Sequence, residues 1–482
     1  MQTIPCPGCG APIQFKSVAS VMAVCEFCKT TVLKDLDSVK NLGKMSDVLE
    51  DYSPIQIGTA GVFGGNAFSV IGRIQLRYTD GMWNEWYVMF DNGKPAWLGD
   101  ASGQYMLTSE VPGGSNFPPF TSLVPAHPYT IGGHNYTASD VRTADCTGGQ
   151  GELPFKVGQG YQAKVADMRN GRSFLSLDYS DGEHPKIYVG QAVTLDELQC
   201  QLLREDDQVS SAAGKFRGKI STLSCPSCGS NASYVPGLTS TLICPSCHAQ
   251  LDVSSATAQV LAIASAVSQE PTTLKLGAQA NINGKPYQLI GAMRCADNDH
   301  TVWTEYLMHN PRAGFLWLIE TDEGWARAMV MDEWPTWMQE DTAVLGNVPF
   351  KKLYRYSARV IYAIGAFNWR VGIGYQTEVV EFQSGQSKLA AEITASEITW
   401  SQSAPVSVDQ IHAWFGDTVN AHKVNTEETL KQISTKFMWI IGLLNLIPLL
   451  LSPLSWFAIA IGLAAIYYPA KYLDSLNSGD DA

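Results

Sequence analysis

A chain of 482 residues has room for several domains, and 45% hydrophobic against 16% charged residues describes a well-packed protein with a membrane part. A net charge of −13 offers no cationic footprint for a phosphate backbone, which argues against nucleic acid as the main partner. The opening MQTIPCPGCG carries neither a basic nor an apolar leader segment, so no cleaved secretion signal is predicted.

The first element in chain order is a cysteine quartet. Residues 6–28 read CPGCGAPIQFKSVASVMAVCEFC, which is C-x2-C, fifteen residues, then C-x2-C. Two tight knuckles at this spacing bring the thiolates of Cys6, Cys9, Cys25 and Cys28 around one tetrahedral ion, predicting a zinc ribbon over 1–33. The same spacing returns in CPSCGSNASYVPGLTSTLICPSC, where Cys225, Cys228, Cys244 and Cys247 predict a second ribbon over 223–253. Four cysteines close the coordination shell and leave no position for water or substrate, so both Zn2+ ions are expected to be structural. Modules this small depend on their metal to fold. His248 follows a complete quartet and is read as a surface residue. Cys146, Cys200 and Cys295 make no disulfide framework, which fits a reducing compartment.

Downstream of each ribbon the chain repeats more loosely. IGTAGVFGGNAFSVIGRIQLRYTDGMWNEWYVMFDNGKPAWLGD aligns with LGAQANINGKPYQLIGAMRCADNDHTVWTEYLMHNPRAGFLWLIE. The alignment sets Gly58, Gly72, Trp83, Glu85 and Trp97 against Gly277, Gly291, Trp303, Glu305 and Trp317. Further on, FKVGQGYQAKV matches WRVGIGYQTEV. Short β-branched and aromatic runs broken by TDG and DNG turns predict strands. In WNEWYVMF the period-two pattern puts aromatics on both faces, which places such strands inside a barrel or a two-sheet sandwich. The predicted fold class is mainly β: two zinc ribbons, each followed by a β-barrel or sandwich domain in tandem, at 54–204 and 271–416. Linkers are expected at 34–53, 205–222 and 254–270. Each repeat is predicted to end in a short helix, since Thr194 with Glu197 and Ser407 with Gln410 have capping-box spacing.

The carboxyl end reads differently. A juxtamembrane helix at 417–436 leads into 437–468, a run without one charged residue. Ser452 and Pro453 divide it into two segments of fifteen residues. Each is about 22 Å long as helix, against roughly 30 Å of hydrocarbon. A hydrophobic helical hairpin over 437–472 is the expectation; a shallow insertion in one leaflet and a single kinked span are the alternatives. Lys423, Lys431, Lys436 and Lys471 flank the run, and the positive-inside rule puts ribbons and β-domains in the cytoplasm, at the inner membrane.

No HExxH, GxSxG or GxxxxGK[ST] motif occurs, so no catalytic residue is assigned. The candidate ligand-binding side chains are Glu85 with Trp83 and Trp97, and Glu305 with Trp303 and Trp317. An acid among aromatics is either paired, raised in pKa, or aimed at a ligand. The competing reading is a strand glutamate bonded to an arginine or a backbone amide of its own domain. Residues 224–248 contain no Lys, Arg, Asp or Glu, so the ribbon tips suit protein contact better than phosphate contact.

Through Gly72, Trp83, Glu85, Trp86, Trp97 and Leu98, repeated as Gly291, Trp303, Glu305, Tyr306, Trp317 and Leu318, the chain resembles the bacterial family called domain of unknown function 4178. Tyr306 and the HNPRAG turn depart from the family pattern in the second copy. The resemblance implies no activity. By association it implies an envelope-stress or polyamine-linked setting, since relatives tend to be encoded near phage-shock-protein-A-like membrane-remodelling proteins and spermidine-synthase-like enzymes. These readings together predict a membrane-anchored cytoplasmic zinc-ribbon adaptor that recruits a protein partner, of the phage-shock-protein-A-like kind, to the lipid bilayer. The alternative is a polyamine-like cation bound at Glu85 and Glu305, in a sensor or an unrecognised enzyme; nucleic-acid binding by the ribbons ranks third.

Overall fold

After each ribbon the β-branched and aromatic runs close into an antiparallel barrel of eight strands. In the computed structural model the described residues are 2–17, 20–35, 38–44, 53–79, 81–101, 103–114, 117–158, 160–204, 221–234, 239–253, 259–262, 272–339, 341–416, 461–462, 464–465 and 467–469. The first barrel runs Asn66–Tyr78, Gly81–Phe90, Pro95–Ala101, Gln104–Val111, Lys186–Val193, Ser173–Asp178, Tyr161–Asn170 and His134–Leu153, the last pairing back with the first. The second repeats that order with Lys285–Ala296, Val302–Asn310, Gly314–Thr321, Gly324–Val330, Ile398–Val406, Ser387–Ile393, Gln376–Ser384 and Val348–Phe367. Of the two expected architectures, barrel and sandwich, the pairing is that of barrels.

Each barrel closes on a long strand, and the crossing point is a pair of glycines. Gly151 lies opposite Gly72, and Gly365 opposite Gly291. A Cβ on Gly72 would sit 1.8 Å from the Glu152 carbonyl oxygen, and one on Gly291 2.6 Å from that of Ala366. Gly151 and Gly365 also take left-handed backbone, at φ 66° and 89°. The bend sends the end of each long strand off the barrel and into the ribbon. Met22–Val24 pairs with 151–153, and Thr241–Ile243 with 365–367. Ribbon and barrel therefore share one hydrogen-bonded sheet, which Thr30–Asp35 and Ser38–Lys44 extend in the first copy.

The outer walls are covered as well as the inner ones, which explains the aromatics on both strand faces. Trp86, Val88, Leu98 and Leu107 pack outward on Ile55 and Leu198. In the second copy Tyr306, Leu318 and Trp325 pack on Ile411 and Phe415 of the helix Val408–Phe415. Ser407 caps that helix as expected, accepting from the Gln410 N–H at 3.1 Å. The first copy departs from expectation: Thr194 and Glu197 form both capping bonds, at 3.1 and 2.9 Å, yet 195–199 is a turn. Gln199 takes φ 49°, and Gln201 is drawn back to bridge Ala60, with N···O distances of 2.7 and 3.1 Å. That bridge leaves no chain for further helical turns.

The copies touch through hydrogen bonds at one end of the first barrel. The Val141 N–H donates to the Ser396 carbonyl at 2.9 Å and that of Trp334 to the Gly171 carbonyl at 3.1 Å. Arg142 bonds Asp140 at 2.5 Å and also pairs with Glu397 of the second copy. The chain divides into the units Met1–Val419 and Asn420–Ala482. In the latter unit the described residues of 461–469 are helical, and the rest of the expected hairpin and the expected juxtamembrane helix lie outside the described residues. Among the described residues no helix is long and apolar enough to cross a membrane.

Gly72→Ala is expected to destabilise the first barrel by about 3 kcal/mol in urea unfolding. Gly132→Ala, at a turn of φ 59° with nothing within 4 Å, should cost only about 1 kcal/mol. Equal costs would contradict the crossing.

Candidate functional site

The two quartets assemble as their spacing predicts. In the first, the sulfurs of Cys6 and Cys28 lie 3.5 Å apart and those of Cys9 and Cys25 3.6 Å. The second gives 3.7 Å for Cys225 with Cys247 and 3.8 Å for Cys228 with Cys244. A tetrahedral shell with metal–sulfur bonds near 2.3 Å sets its sulfurs about 3.8 Å apart, whereas a disulfide needs about 2.05 Å. Each quartet can therefore hold one metal ion. The Gly8 N–H donates to Cys6 Sγ at 3.3 Å, and Thr30, beside Cys28, lowers that thiol to about 6, whereas Cys9 and Cys244 are pushed up to about 12. Ser230 lowers Cys228 likewise, to about 6. His248, expected at the surface, is instead buried, its ring 5.3 Å from that of Tyr362. Docking of the ribbon on the long strand covers it.

The barrel interiors hold the second arrangement. Strand alternation turns Trp83, Glu85 and Tyr87 inward, and Trp83, Tyr87 and Trp97 pack across the barrel with Ala144, Cys146, Tyr161 and Ala163. Asp167 and Asp178 share this face on two strands of the opposite wall, where Asp178 lies opposite Val165. In the second barrel Glu305, Glu381 and Glu392 take the same places. YQAKVAD and YQTEVVE align Asp167 with Glu381, and GRSFLSLD and GQSKLAAE align Asp178 with Glu392.

Burial within the wall is the main force on these acids. It pushes Glu85 up to about 8, with Asp167 adding repulsion, while the Trp83 indole N–H, donating to Glu85 Oε1 at 2.9 Å, opposes the shift. Glu305 is raised by the same burial and opposed by the Trp303 indole, at 2.6 Å. Burial also raises Asp167, against Ser176, Arg142 and Arg169. Glu392, whose side chain keeps exposed surface, rises to about 8 through desolvation of its carboxyl by the surrounding wall and the repulsion of Glu305, Glu397 and Glu381. Glu381 accepts from the Tyr356 hydroxyl at 2.7 Å, with Lys388 Nζ 3.9 Å away, and Asp178 accepts from the Ser180 N–H at 2.8 Å. Among the described residues neither Glu85 nor Glu305 is salt-bridged, so the reading of an internal arginine partner does not hold for them. Glu85, Asp167 and Glu305 are only half-buried and Glu392 is exposed, although all four face inward. The lumen is not packed solid there, and Gly99, whose Cβ would lie 3.5 Å from Glu85 Oε2, keeps room beside the carboxylate.

Trp83 and Trp303 thus meet their glutamates directly, while Trp97 and Trp317 lie nearer the ribbon, against Phe155 and Trp369. Glu85 and Glu305 belong to separate lumens and form no joint site. Asp167, Asp178, Glu381 and Glu392 escaped the sequence reading. Their signal was the repeat itself, since Asp167 and Glu381 stand two residues beyond the matched Val165 and Val379.

Fold and site define a tandem of ribbon-docked β-barrels with acidic lumens and two four-cysteine centres. Residues 56–195 and 275–408 match the domain of unknown function DUF4178, and the chain belongs to that family. No curated protein and no solved structure matches the chain.

Between about pH 4.5, the ordinary value, and about 8 the folded barrel holds a proton on Glu85 that the unfolded chain has released. This contribution makes stability fall as pH rises through that window and level off above it. Glu85→Gln should therefore raise the melting temperature at pH 9 by roughly 3 °C and leave it nearly unchanged at pH 4. Equal shifts at both pH values in a calorimetric scan would contradict the raised carboxyl.

Proposed function

We propose that each barrel binds a small organic cation of the diamine or polyamine class in its carboxylate-lined lumen, and that each quartet holds one structural zinc ion. The repetition of the inward triad carries the reading: Glu85, Asp167 and Asp178 in one copy, Glu305, Glu381 and Glu392 in the other. Gathering three acids inside a barrel wall is unfavourable for the empty protein. A bound ammonium offsets that repulsion, and the faces of Trp83, Trp303 and Tyr161 suit cation–π contact. Because Glu85 and Glu392 sit at about 8, the cation displaces protons and binding is proton-linked. Four thiolates at tetrahedral spacing favour zinc among the common metals.

Titration calorimetry of the full chain with putrescine and spermidine at pH 7, in two buffers of different ionisation heat, tests the lumen. Saturable binding with net proton release is expected, weakened at least about tenfold when Glu85→Gln and Glu305→Gln are combined. No saturable heat with either amine at millimolar concentration removes the reading. Metal analysis should find two zinc ions per chain, and one after Cys225→Ser.

A second reading, the membrane-anchored adaptor, is favoured by Phe27, which is 74% exposed at the knuckle between Cys25 and Cys28. An apolar ring at a ribbon tip suits a protein partner, and the uncharged run 437–468 would tether the protein at the inner membrane. A stoichiometric partner recovered by cross-linking, lost with Phe27→Ser and kept with Glu85→Gln, supports this reading; recovery unaffected by Phe27→Ser counts against it.

A further inference from the structure

The first lumen has two mouths, and side chains pack at both. Away from the ribbon the second copy is seated: Arg142 pairs with Glu397, and Arg169 donates to the Asp332 carbonyl at 3.0 Å with its guanidinium 5.0 Å from the Trp334 ring centre. At the ribbon mouth Trp97, Phe155 and Tyr161 form an aromatic chain with centroids 6.0 Å apart at each step. Met22 and Val24 of the ribbon pack into the same cluster. The ribbon is further tied to the seam by Glu152, which accepts from the N–H groups of Lys16 and Ser17 at 2.7 and 3.0 Å and from the Ser20 hydroxyl at 2.8 Å.

The second barrel carries the same device at its ribbon mouth. Phe367, Trp369 and Trp317 form the chain, with centroids 5.4 Å apart at each step. Here the cysteines Cys225 and Cys244 belong to the very cluster that contains Trp303, Trp317 and the lumen thiol Cys295. The barrels are closed by continuous hydrogen bonding, whereas the ribbons bury little apolar surface of their own and depend on metal for their fold.

We propose that each metal-loaded ribbon is the door of its own barrel: it holds the aromatic stopper in the mouth, and loss of the metal releases the stopper while the wall stays closed. Metal loading of the ribbon thereby sets access to the lumen from that mouth. The proposal deepens the cation-binding reading and rests on it for its purpose, but opening can be measured without any amine.

Three cysteines outside the quartets report on it. Cys146 is fully buried on the first lumen face, Cys295 is 3% exposed on the second, and Cys200 packs on the outer wall of the first barrel. The full chain is alkylated with N-ethylmaleimide and each cysteine is followed by peptide mass spectrometry. Relative to wild type, Cys6→Ser should speed labelling of Cys146 at least about tenfold, with Cys295 and Cys200 unchanged. Cys225→Ser should do the same for Cys295 and spare Cys146. Continued protection of Cys146 in Cys6→Ser overturns the proposal. So does joint labelling of Cys146 and Cys200, which would mean that the barrel itself melts without its ribbon. If the labelling pattern holds but putrescine and spermidine fail to bind, the door stands and the cation reading falls.

Discussion

Everything in this protein hangs on backbone meeting backbone at the barrel seam. Gly72 against Gly151, and Gly291 against Gly365, let two strands approach more closely than any side chain permits. The approach closes the barrel, and the left-handed glycine on the long strand turns its last residues outward. Those residues have hydrogen-bonding groups to satisfy, and the ribbon's third strand supplies the partners. One constraint thus closes the lumen and seats the cysteine quartet beside its mouth.

The lumen balances opposing terms. Aromatic and small apolar residues fill the ribbon end, and the carboxylates share the remaining interior with two indole donors, tyrosine hydroxyls and, in the first barrel, Arg142 and Arg169. A carboxylate surrounded by protein and by other carboxylates holds its proton to higher pH, which is why Glu85, Asp167, Glu305 and Glu392 are all raised. Side chains that face inward yet keep free surface leave the interior beside the acids incompletely packed. The seating of the second copy over the far mouth of the first barrel makes the two lumens unequal, although their acids correspond.

The cysteine spacing and the paired W-x-E strands were legible in the chain because each is local: a knuckle brings ligands together within a few residues, and a strand alternates by geometry alone. Ser407 was legible for the same reason. Thr194 was not, because its capping bonds form but a long-range bridge between Gln201 and Ala60 overrides the helix they would start. His248 was misread because its burial comes from Tyr362, far away in sequence.

The sequence by itself determined the two cysteine quartets, the duplication, the mainly β class and the inward place of Glu85 and Glu305, all of them set by spacing or alternation along one stretch of chain. Only the tertiary structure decided that the sheets close, that Asp167 and Asp178 meet Glu85 across a lumen, and that the ribbons sit in the barrel mouths. The physical reason is that strand pairing and electrostatic repulsion act through space between residues that the chain keeps far apart, and no local pattern encodes which strand a seam glycine will meet.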